Sequence, residues 1–236
     1  MRISKITILS LLALLLIQCQ EKKTKKSTQK KTESTQKIDV KEENTKTVET
    51  IKDQIVLDDK NAIPFFFEYA KDHPEKKVRV KTKFGNFIIE LFENTPYHRA
   101  NFIYLTQKKY FNGTTFHRVV PGFIIQGGNS DNYKTSRKRG EIGRYLLPND
   151  LRKGHSHHRG ILSMPSSEIE NPYKLASPFE FFIVVQSPGA YHLDGNYTPF
   201  GRIIEGMEVV DQINQQPIDN REAPLHNIFM EMEIVK

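Results

Sequence analysis

The sequence contains a single cysteine, Cys19, among its 236 residues. One cysteine cannot form an internal disulfide framework, so the fold must be stabilised without one. The sequence also lacks a long apolar run, because its most apolar stretch, Ile6 to Ile17, is short for a bilayer span. Hydrophobic residues make up only 37% of the chain, which indicates that part of it does not fold.

The sequence also contains no motif for binding RNA or DNA, although its formal net charge is +7 and its pI is about 9.3. Arg2 and Lys5 contribute two of these positive charges, so a chain processed after the apolar run carries about +5 (7 minus 2). We attribute the remaining basic balance to a lysine-rich segment that follows this run. The sequence therefore predicts no nucleic-acid partner.

Residues 1–18 have the pattern of a secretory signal peptide, with Arg2 and Lys5 before the apolar run. Leu16-Ile-Gln-Cys19 resembles the cleavage box of bacterial lipoproteins, in which the cysteine becomes the lipidated first residue. Gln18 departs from that box, because a small residue usually precedes the cysteine. We expect a lipoprotein signal peptide and a lipidated Cys19; an ordinary signal peptide that contains a cysteine is the alternative.

Residues 19–60 consist mostly of Lys, Glu, Thr, Gln, Ser and Asp, with few aliphatic side chains and no aromatic ones. This composition cannot bury enough apolar surface to offset the conformational entropy that folding removes. We therefore expect residues 19–60 to form a disordered tether. With a lipid on Cys19, the tether predicts an extracytoplasmic protein anchored to a bacterial membrane, in the periplasm or cell envelope.

Patterns typical of helices and strands begin at residue 61. Residues 61–77 contain a predicted lead-in helix, with Pro64 in its first turn and an end at His73, which precedes a proline. Two more helices are predicted at Thr95–Lys108 and Met207–Gln215. The predicted strands are Val78–Thr82, Asn86–Phe92, two strands within Phe116–Asn129, Gly160–Met164, Glu180–Val185, Phe200–Ile204 and Asn227–Val235.

The stretch Phe116–Asn129 combines a tight turn with one guanidinium, on Arg118, and one large apolar ring, on Phe123. Period-two alternation puts Ile124 and Gln126 on one face of its second strand. A buried unpaired charge is costly, so this pattern suits a groove better than a core. Such a groove can grip a peptide carbonyl and bury a small apolar group; an edge hairpin with an exposed arginine is the alternative.

Tyr110–Gly128, with the sequence YFNGTTFHRVVPGFIIQGG, resembles the signature of cyclophilin-type peptidyl-prolyl cis-trans isomerases. The resemblance covers residues 78–236 and implies a mainly β domain, a closed eight-stranded antiparallel barrel capped by two α-helices. The interior of such a barrel is filled by side chains, so the implied ligand site lies on its outer face. Further similar blocks are Gly160–Met164, Phe181–Ile183, Leu193–Gly195 and Phe200–Gly201.

The resemblance also implies roles for individual residues. Arg118, Phe123 and Gln126 match catalytic positions, where Arg118 is the donor to the twisted amide and Gln126 orients Arg118 and the substrate. Phe123 also belongs to the implied apolar pocket for the proline ring. The other residues that match substrate-binding positions are Ile124, Glu180, Phe182, His192, Leu193, Tyr197, Pro165 and Ser166.

Several of these substrate-binding positions differ from those of better-known members. Glu180 replaces a Gln, His192 stands where many carry a Trp, and Tyr197 where many carry a His. Pro165-Ser166 stands where many carry Ala-Asn. Alternation along its strand puts Glu180 on the face of the substrate groove, where it would form a charge-assisted pair with Arg118 if that side chain lies within reach. A Glu180 that turns to solvent and pairs with a lysine is the alternative. These changes fall around the rim, so they affect efficiency and peptide preference more than the reaction.

Between Asn129 and Gly160 the sequence predicts a loop-rich stretch without a regular helix or strand. It contains the three closely spaced histidines His155, His157 and His158, a residue type that binds many metals. No regular element would fix their geometry and no cysteine accompanies them, so a solvated loop is favoured. We therefore predict no metal site.

The resemblance implies an isomerase that accelerates rotation of X-Pro bonds in exported proteins. Its partners would be proline-containing polypeptides, it would need no cofactor, and we expect a monomer. A catalytically weak cyclophilin-like module that binds proline segments or acts as a chaperone is the alternative. Arg118, Phe123 and Gln126 favour the enzyme, whereas Glu180 and the altered rim at residues 165–178 favour the alternative.

Overall fold

The computed structural model describes residues 55–166 and 171–235. The predicted signal peptide, Cys19 and most of the predicted tether lie outside these residues. None of the helices in the described ranges is both long and apolar enough to cross a membrane.

The described residues form four α-helices and a short 3-10 helix at Tyr191–Leu193. Three of the α-helices match predicted ones, including the first, in which Pro64 lies in the first turn and His73 follows the last residue. The α-helices are α1 at Ala62–Asp72, α2 at Pro96–Gln107, α3 at Tyr133–Ile142 and α4 at Met207–Asn214.

Helix α3 was not expected, so the prediction of a stretch without regular structure between Asn129 and Gly160 is wrong. The helix begins after Asn132, whose side-chain oxygen accepts a hydrogen bond from the backbone N–H of Lys134 at 2.9 Å. Only Thr135 and Ile142 of this helix are buried. With so few apolar positions it has no amphipathic stripe, which is the signal by which a helix is found in a sequence.

The ten strands in the described ranges form two sheets. Strands β1 and β6 pair in a small parallel sheet, and the other eight form one antiparallel sheet in the order β10-β2-β3-β9-β7-β8-β5-β4. The strands are β1 Leu57–Asp58, β2 Lys77–Thr82, β3 Gly85–Leu91, β4 Thr115–Val120, β5 Ile124–Asn129, β6 Gly143–Arg144, β7 Ile161–Met164, β8 Phe181–Val184, β9 Thr198–Glu205 and β10 Glu231–Val235.

Strand β1 lies inside the segment that was expected to be a tether. Leu57 is fully buried and pairs with Gly143 of β6. Gly143 has a φ of +125°, and a Cβ atom there would lie 1.9 Å from the carbonyl oxygen of Leu57. The close approach of these two backbones fixes β1, so the folded chain begins before residue 61.

The large sheet is open, and the expectation of a closed barrel is wrong. Its edge strands β4 and β10 form no ladder with each other among the described residues. Thr115 makes one isolated bridge with Phe229, and the N–H of Phe116 donates to the carbonyl of Ile228 at 2.9 Å. These contacts come from residues before β10 rather than from β10 itself, which pairs with β2. The ladder therefore stops short of closure.

Alternate side chains of the central strands enter two separate apolar clusters. Phe181 and Ile183 of β8 lie in the main core, whereas Phe182 belongs to a smaller cluster on the opposite face of the sheet. On β5, Ile125 enters the main core and Ile124 the smaller cluster. The predicted alternation of both strands is therefore confirmed, and the smaller cluster positions the candidate site.

Candidate active site

A β-bulge in β4 brings Arg118 to the outer face of the sheet. Phe116 pairs with Gly127 and Arg118 pairs with Gln126, so His117 is the extra residue. Without the bulge, Arg118 would share the face of Phe116, which is two residues earlier and only 1% exposed. The side chain of Arg118 is 39% exposed instead. The bulge thus makes a charged side chain compatible with this strand.

Arg118 begins a row of side chains that crosses four strands on this outer face. Arg118 lies opposite Gln126, Gln126 opposite Phe182, and Phe182 opposite Ser163. Residues directly opposite each other in neighbouring antiparallel strands project to the same face. The row therefore places a guanidinium, an amide, an aromatic ring and a hydroxyl side by side.

The ring of Phe182 is 4% exposed and lies in the smaller apolar cluster. Tyr197 meets this ring edge to face at 5.5 Å between ring centroids. Phe123 lies at the margin of the cluster and stacks on His192 at 5.3 Å. The structure thus brings most of the predicted site residues to one region, namely Arg118, Phe123, Ile124, Gln126, Phe182, His192, Leu193 and Tyr197.

Pro165 and Ser166 follow β7 directly, and their described contacts lie within the loop that they begin. The carbonyl of Pro165 accepts a hydrogen bond from the N–H of Ser177 at 2.8 Å. Ser166 forms an isolated bridge with Ala176, which also pairs with Leu147. Residues 167–170 of the rim lie outside the described ranges. These backbone contacts fix the start of the loop.

Glu180 binds Gln126 rather than Arg118. The Gln126 Nε2 donates to Glu180 Oε2 at 2.9 Å, and Asn129 Nδ2 donates to Glu180 Oε1 at 3.1 Å. Arg118 Nε donates to Glu222 Oε2 at 2.7 Å. Among the described contacts, Arg118 thus makes no hydrogen bond with Gln126, which was expected to orient it, and no pair with Glu180. The structure identifies Glu222 as the partner of the candidate catalytic arginine.

The surroundings of Glu180 favour its carboxylate form. Burial by itself raises the pKa of Glu180, but hydrogen bonds and the charge of nearby donors outweigh it and lower that pKa below its ordinary value. These donors include Gln126 and His117, whose Nε2 lies 3.5 Å from Glu180 Oε2. The carboxylate is therefore charged at neutral pH, and it accepts a hydrogen bond from Gln126 Nε2.

His157 is a further residue of the site that the sequence did not distinguish from its neighbours. It is fully buried, and its ring lies parallel to that of Phe182 at 6.0 Å. Its Nδ1 is 2.6 Å from Asp194 Oδ1, and its Nε2 is 3.1 Å from Ser163 Oγ. The nearby His155 instead stacks on Phe92. The histidines therefore diverge, and the described residues contain no group of three His, Cys, Asp or Glu side chains that could hold a metal.

The contacts of His157 determine its tautomer. Burial lowers the pKa of His157, an effect that the carboxylate of Asp194 opposes in part. The neutral ring donates its Nδ1–H to Asp194, so its Nε2 accepts the hydroxyl hydrogen of Ser163. Burial raises the pKa of Asp194, but its hydrogen bonds from His157 outweigh this and lower it. The imidazole is thus fixed behind the aromatic ring of the apolar cluster.

We expect mild acid to weaken this part of the site. Because the folded-state pKa of His157 is below the ordinary value of 6.5, the unfolded chain takes up the proton first. The stability provided by neutral His157 is therefore complete above that value and falls as the pH drops below it. The free energy of unfolding, measured from about pH 7.5 to pH 5, should decrease accordingly.

Asp194→Asn provides the check on this pH dependence. It removes the negative charge that raises the pKa of His157, so the folded-state pKa falls further below the ordinary value. The decrease in stability should still begin near that ordinary value, but it should extend to lower pH and be larger than in the wild type. A decrease of the same size in both proteins would assign the titration to another group.

Comparison with known proteins shows that this chain is similar to prolyl isomerases. Residues 77–234 match the family model described as cyclophilin type peptidyl-prolyl cis-trans isomerase/CLD. A peptidyl-prolyl cis-trans isomerase of Acinetobacter baylyi is 37% identical over 144 residues, which are 59% of this chain and 72% of that protein. A peptidyl-prolyl cis-trans isomerase-like 3 protein of Dictyostelium discoideum is 34% identical over 155 residues, 65% of this chain and 91% of its own length.

Longer relatives and solved structures agree with this match. A peptidyl-prolyl cis-trans isomerase-like 2 protein of Rhizopus delemar is 33% identical over 69% of this chain, which spans 29% of that protein. A Cryptosporidium parvum cyclophilin type isomerase has a similar crystal structure, with a TM-score of 0.58 and 29% identity. The match covers 69% of this chain and 98% of the parasite chain. Another structure of that protein was determined in the presence of the dipeptide Ala-Pro.

Proposed function

Because the chain belongs to the cyclophilin-type peptidyl-prolyl cis-trans isomerase family, we propose that it accelerates rotation about X-Pro bonds in exported proteins. The observation that carries this proposal is the row of Arg118, Gln126 and Phe182 beside the smaller apolar cluster. It places a permanent donor next to an apolar surface of the kind that a proline ring requires. The proposed partners are proline-containing polypeptides, and the proposed active form is a monomer.

The reaction requires a hydrogen-bond donor that binds the twisted amide more tightly than the planar one. Resonance keeps the peptide bond planar behind a barrier of roughly 18–20 kcal/mol. In the twisted transition state the prolyl nitrogen becomes pyramidal and its lone pair is localised. A donor aimed at that nitrogen binds the transition state more tightly than the planar ground state, which lowers the barrier.

In our proposal Arg118 supplies this donor. The guanidinium is charged at every relevant pH and presents several N–H groups in a fixed plane. Its Nε is engaged by Glu222, and none of its terminal nitrogens has a hydrogen bond among the described contacts. Those terminal groups can therefore serve the prolyl nitrogen and the preceding carbonyl. The ring of the proline would lie against Phe182, with Phe123, Leu193 and Tyr197 around it.

Refolding of a secreted protein with a slow proline-limited phase separates the proposed enzyme from a binding module. Uncatalysed X-Pro isomerisation takes tens to hundreds of seconds, so the phase is easily followed. An enzyme at substoichiometric concentration should shorten this phase and leave its amplitude unchanged. A binding or chaperone module would instead need stoichiometric amounts and would leave the rate constant as it is.

We further propose that Cys19 carries lipid and anchors the protein to the envelope of a bacterium. The proposal is supported by the apolar run before Cys19 and by the polar segment after it, which has little apolar surface to insert into a membrane. Replacing Cys19 with Ser should therefore move the protein from the membrane fraction to the soluble fraction or leave it unprocessed. A Cys19→Ser protein that is processed and still sediments with membranes would place the anchor elsewhere.

A further inference from the structure

The carboxylate that holds Arg118 comes from a short turn, Asp219–Ala223, which is fixed by its own hydrogen bonds. Asp219 Oδ1 accepts from the N–H groups of Arg221 at 2.8 Å and of Ala223 at 2.9 Å. The N–H of Asp219 donates to the carbonyl of Ala223 at 2.8 Å, and the N–H of Glu222 donates to the carbonyl of Asp219 at 3.1 Å. These hydrogen bonds hold the turn in place without any contribution from Arg118.

Glu222 itself has a φ of +64°, a backbone conformation that residues other than glycine rarely adopt. Its carbonyl accepts a hydrogen bond from the N–H of Val119 at 2.7 Å, which ties the turn to strand β4 directly after Arg118. Glycine would adopt this φ at lower cost. A glutamate in such a position points to a requirement for its side chain.

The contact between Glu222 and Arg118 uses only one end of the guanidinium. Arg118 Nε donates to Glu222 Oε2 at 2.7 Å, and the side chains are both 39% exposed. A carboxylate that competed for the substrate-binding end would instead contact the terminal nitrogens. Gln126 makes no hydrogen bond with Arg118 among the described contacts, and its Nε2 donates to Glu180.

We propose that Glu222 is a positioning residue for the isomerase reaction, holding Arg118 at Nε so that its terminal nitrogens face the apolar cluster. This inference rests on the proposed function. A free arginine side chain samples many rotamers. Holding it at Nε lowers the conformational entropy that must be lost in the transition state. In this chain Glu222, rather than Gln126, thus fulfils the orienting role, because it is the residue that holds Arg118 among the described contacts.

The test is a double-mutant cycle in a peptide isomerisation assay with the full chain. Glu222→Ala should lower kcat by about tenfold and change KM less, as removal of a charge-assisted hydrogen bond predicts. Glu222→Gln should lose less, because its amide oxygen still accepts from Nε. In an Arg118→Ala background the same substitutions should change nothing further, since the side chain that they orient is absent.

Two further variants separate positioning from folding. Glu222→Gly removes the carboxylate but relieves the unfavourable φ. It should therefore lose as much kcat as Glu222→Ala while its free energy of unfolding is at least as high as that of Glu222→Ala. Glu90→Gln is the matched control, because Glu90 accepts from Nε and Nη2 of Arg202 at 3.0 and 2.7 Å on a different pair of strands. This control should leave kcat and KM unchanged.

The outcomes distinguish this inference from the proposed function. If the wild type isomerises the peptide and Arg118→Ala does not, while the Glu222 variants are unchanged or faster, Glu222 does not position Arg118. A faster Glu222→Gln protein would show that the carboxylate competes with substrate. If the wild type itself does not isomerise the peptide, the proposed function fails, and the role of Glu222 fails with it. The ¹⁵N resonance of Arg118 Nε in wild type and Glu222→Gln reports the contact independently of activity.

Discussion

Replacing Arg118 with alanine should reduce kcat/KM for a proline tetrapeptide by about 100-fold or more, as deletion of an oriented transition-state donor does in other enzymes. The reason is that no other guanidinium or ammonium group takes its place in the row with Gln126 and Phe182 in the described structure. Stability should change little, because the Arg118 side chain is 39% exposed and its ion pair is at the surface. The free energy of unfolding is therefore measured alongside the rate.

Arg118→Lys is the control that separates charge from geometry. Lysine keeps the positive charge but cannot present a planar fork with an Nε that Glu222 can hold. We expect it to recover only a small part of the activity. Full activity of either variant would show that Arg118 is not the donor on which the reaction depends.

Replacing Phe182 with alanine should have the second-largest effect, on both stability and peptide binding. The ring is 4% exposed and contacts Tyr197 and His157, so its removal leaves a cavity beneath the proposed proline site. Truncation of a buried phenylalanine typically costs about 3–5 kcal/mol of unfolding free energy. Urea unfolding measures this loss, and titration with a proline peptide at low temperature measures the loss of affinity.

Two substitutions calibrate this result. Phe182→Leu retains an apolar side chain and should preserve most of the stability and part of the affinity. Phe67→Ala removes a phenylalanine that is 54% exposed on α1, so it should leave both quantities close to those of the wild type. Unchanged peptide affinity in a folded Phe182→Ala protein would place the proline site elsewhere.

The sequence predicted the parts of the site that depend on local order along the chain. Alternation assigned Ile124 and Gln126 to one face of β5 and Phe182 to the outer face of β8. The two apolar clusters confirm this for Ile124 and Phe182, and the pairing of Gln126 with Phe182 confirms it for Gln126. Both assignments need only the period of a strand, which is a property of neighbouring residues. The helices with clear signals, such as the proline near the start of α1 and α2, were predicted for the same reason.

The sequence could not predict contacts between residues that are distant along the chain. Glu222 lies 104 residues from Arg118, and Asp194 lies 37 residues from His157. No local pattern distinguishes these carboxylates from the many solvated ones. The prediction of a closed barrel was wrong for the same reason, because the open edge of the sheet depends on how residues 228–230 approach β4.

Glu180 shows how a correct placement along a strand can still give the wrong partner. It lies next to the row of site residues, as alternation predicted, and it binds Gln126 and Asn129. Whether it would reach Arg118 depended on the bulge at His117 and on the presence of Glu222. Both features belong to the tertiary structure.

The most direct test of isomerase function is a protease-coupled assay of the wild-type chain on an Ala-Pro tetrapeptide. The protease cleaves only the trans form, so the rate of the slow phase reports cis-trans isomerisation. We predict that this rate rises in proportion to protein concentration at catalytic, substoichiometric amounts. A slow phase that keeps its uncatalysed rate, with peptide binding demonstrated by titration, would contradict the assignment and identify the protein as a binding module.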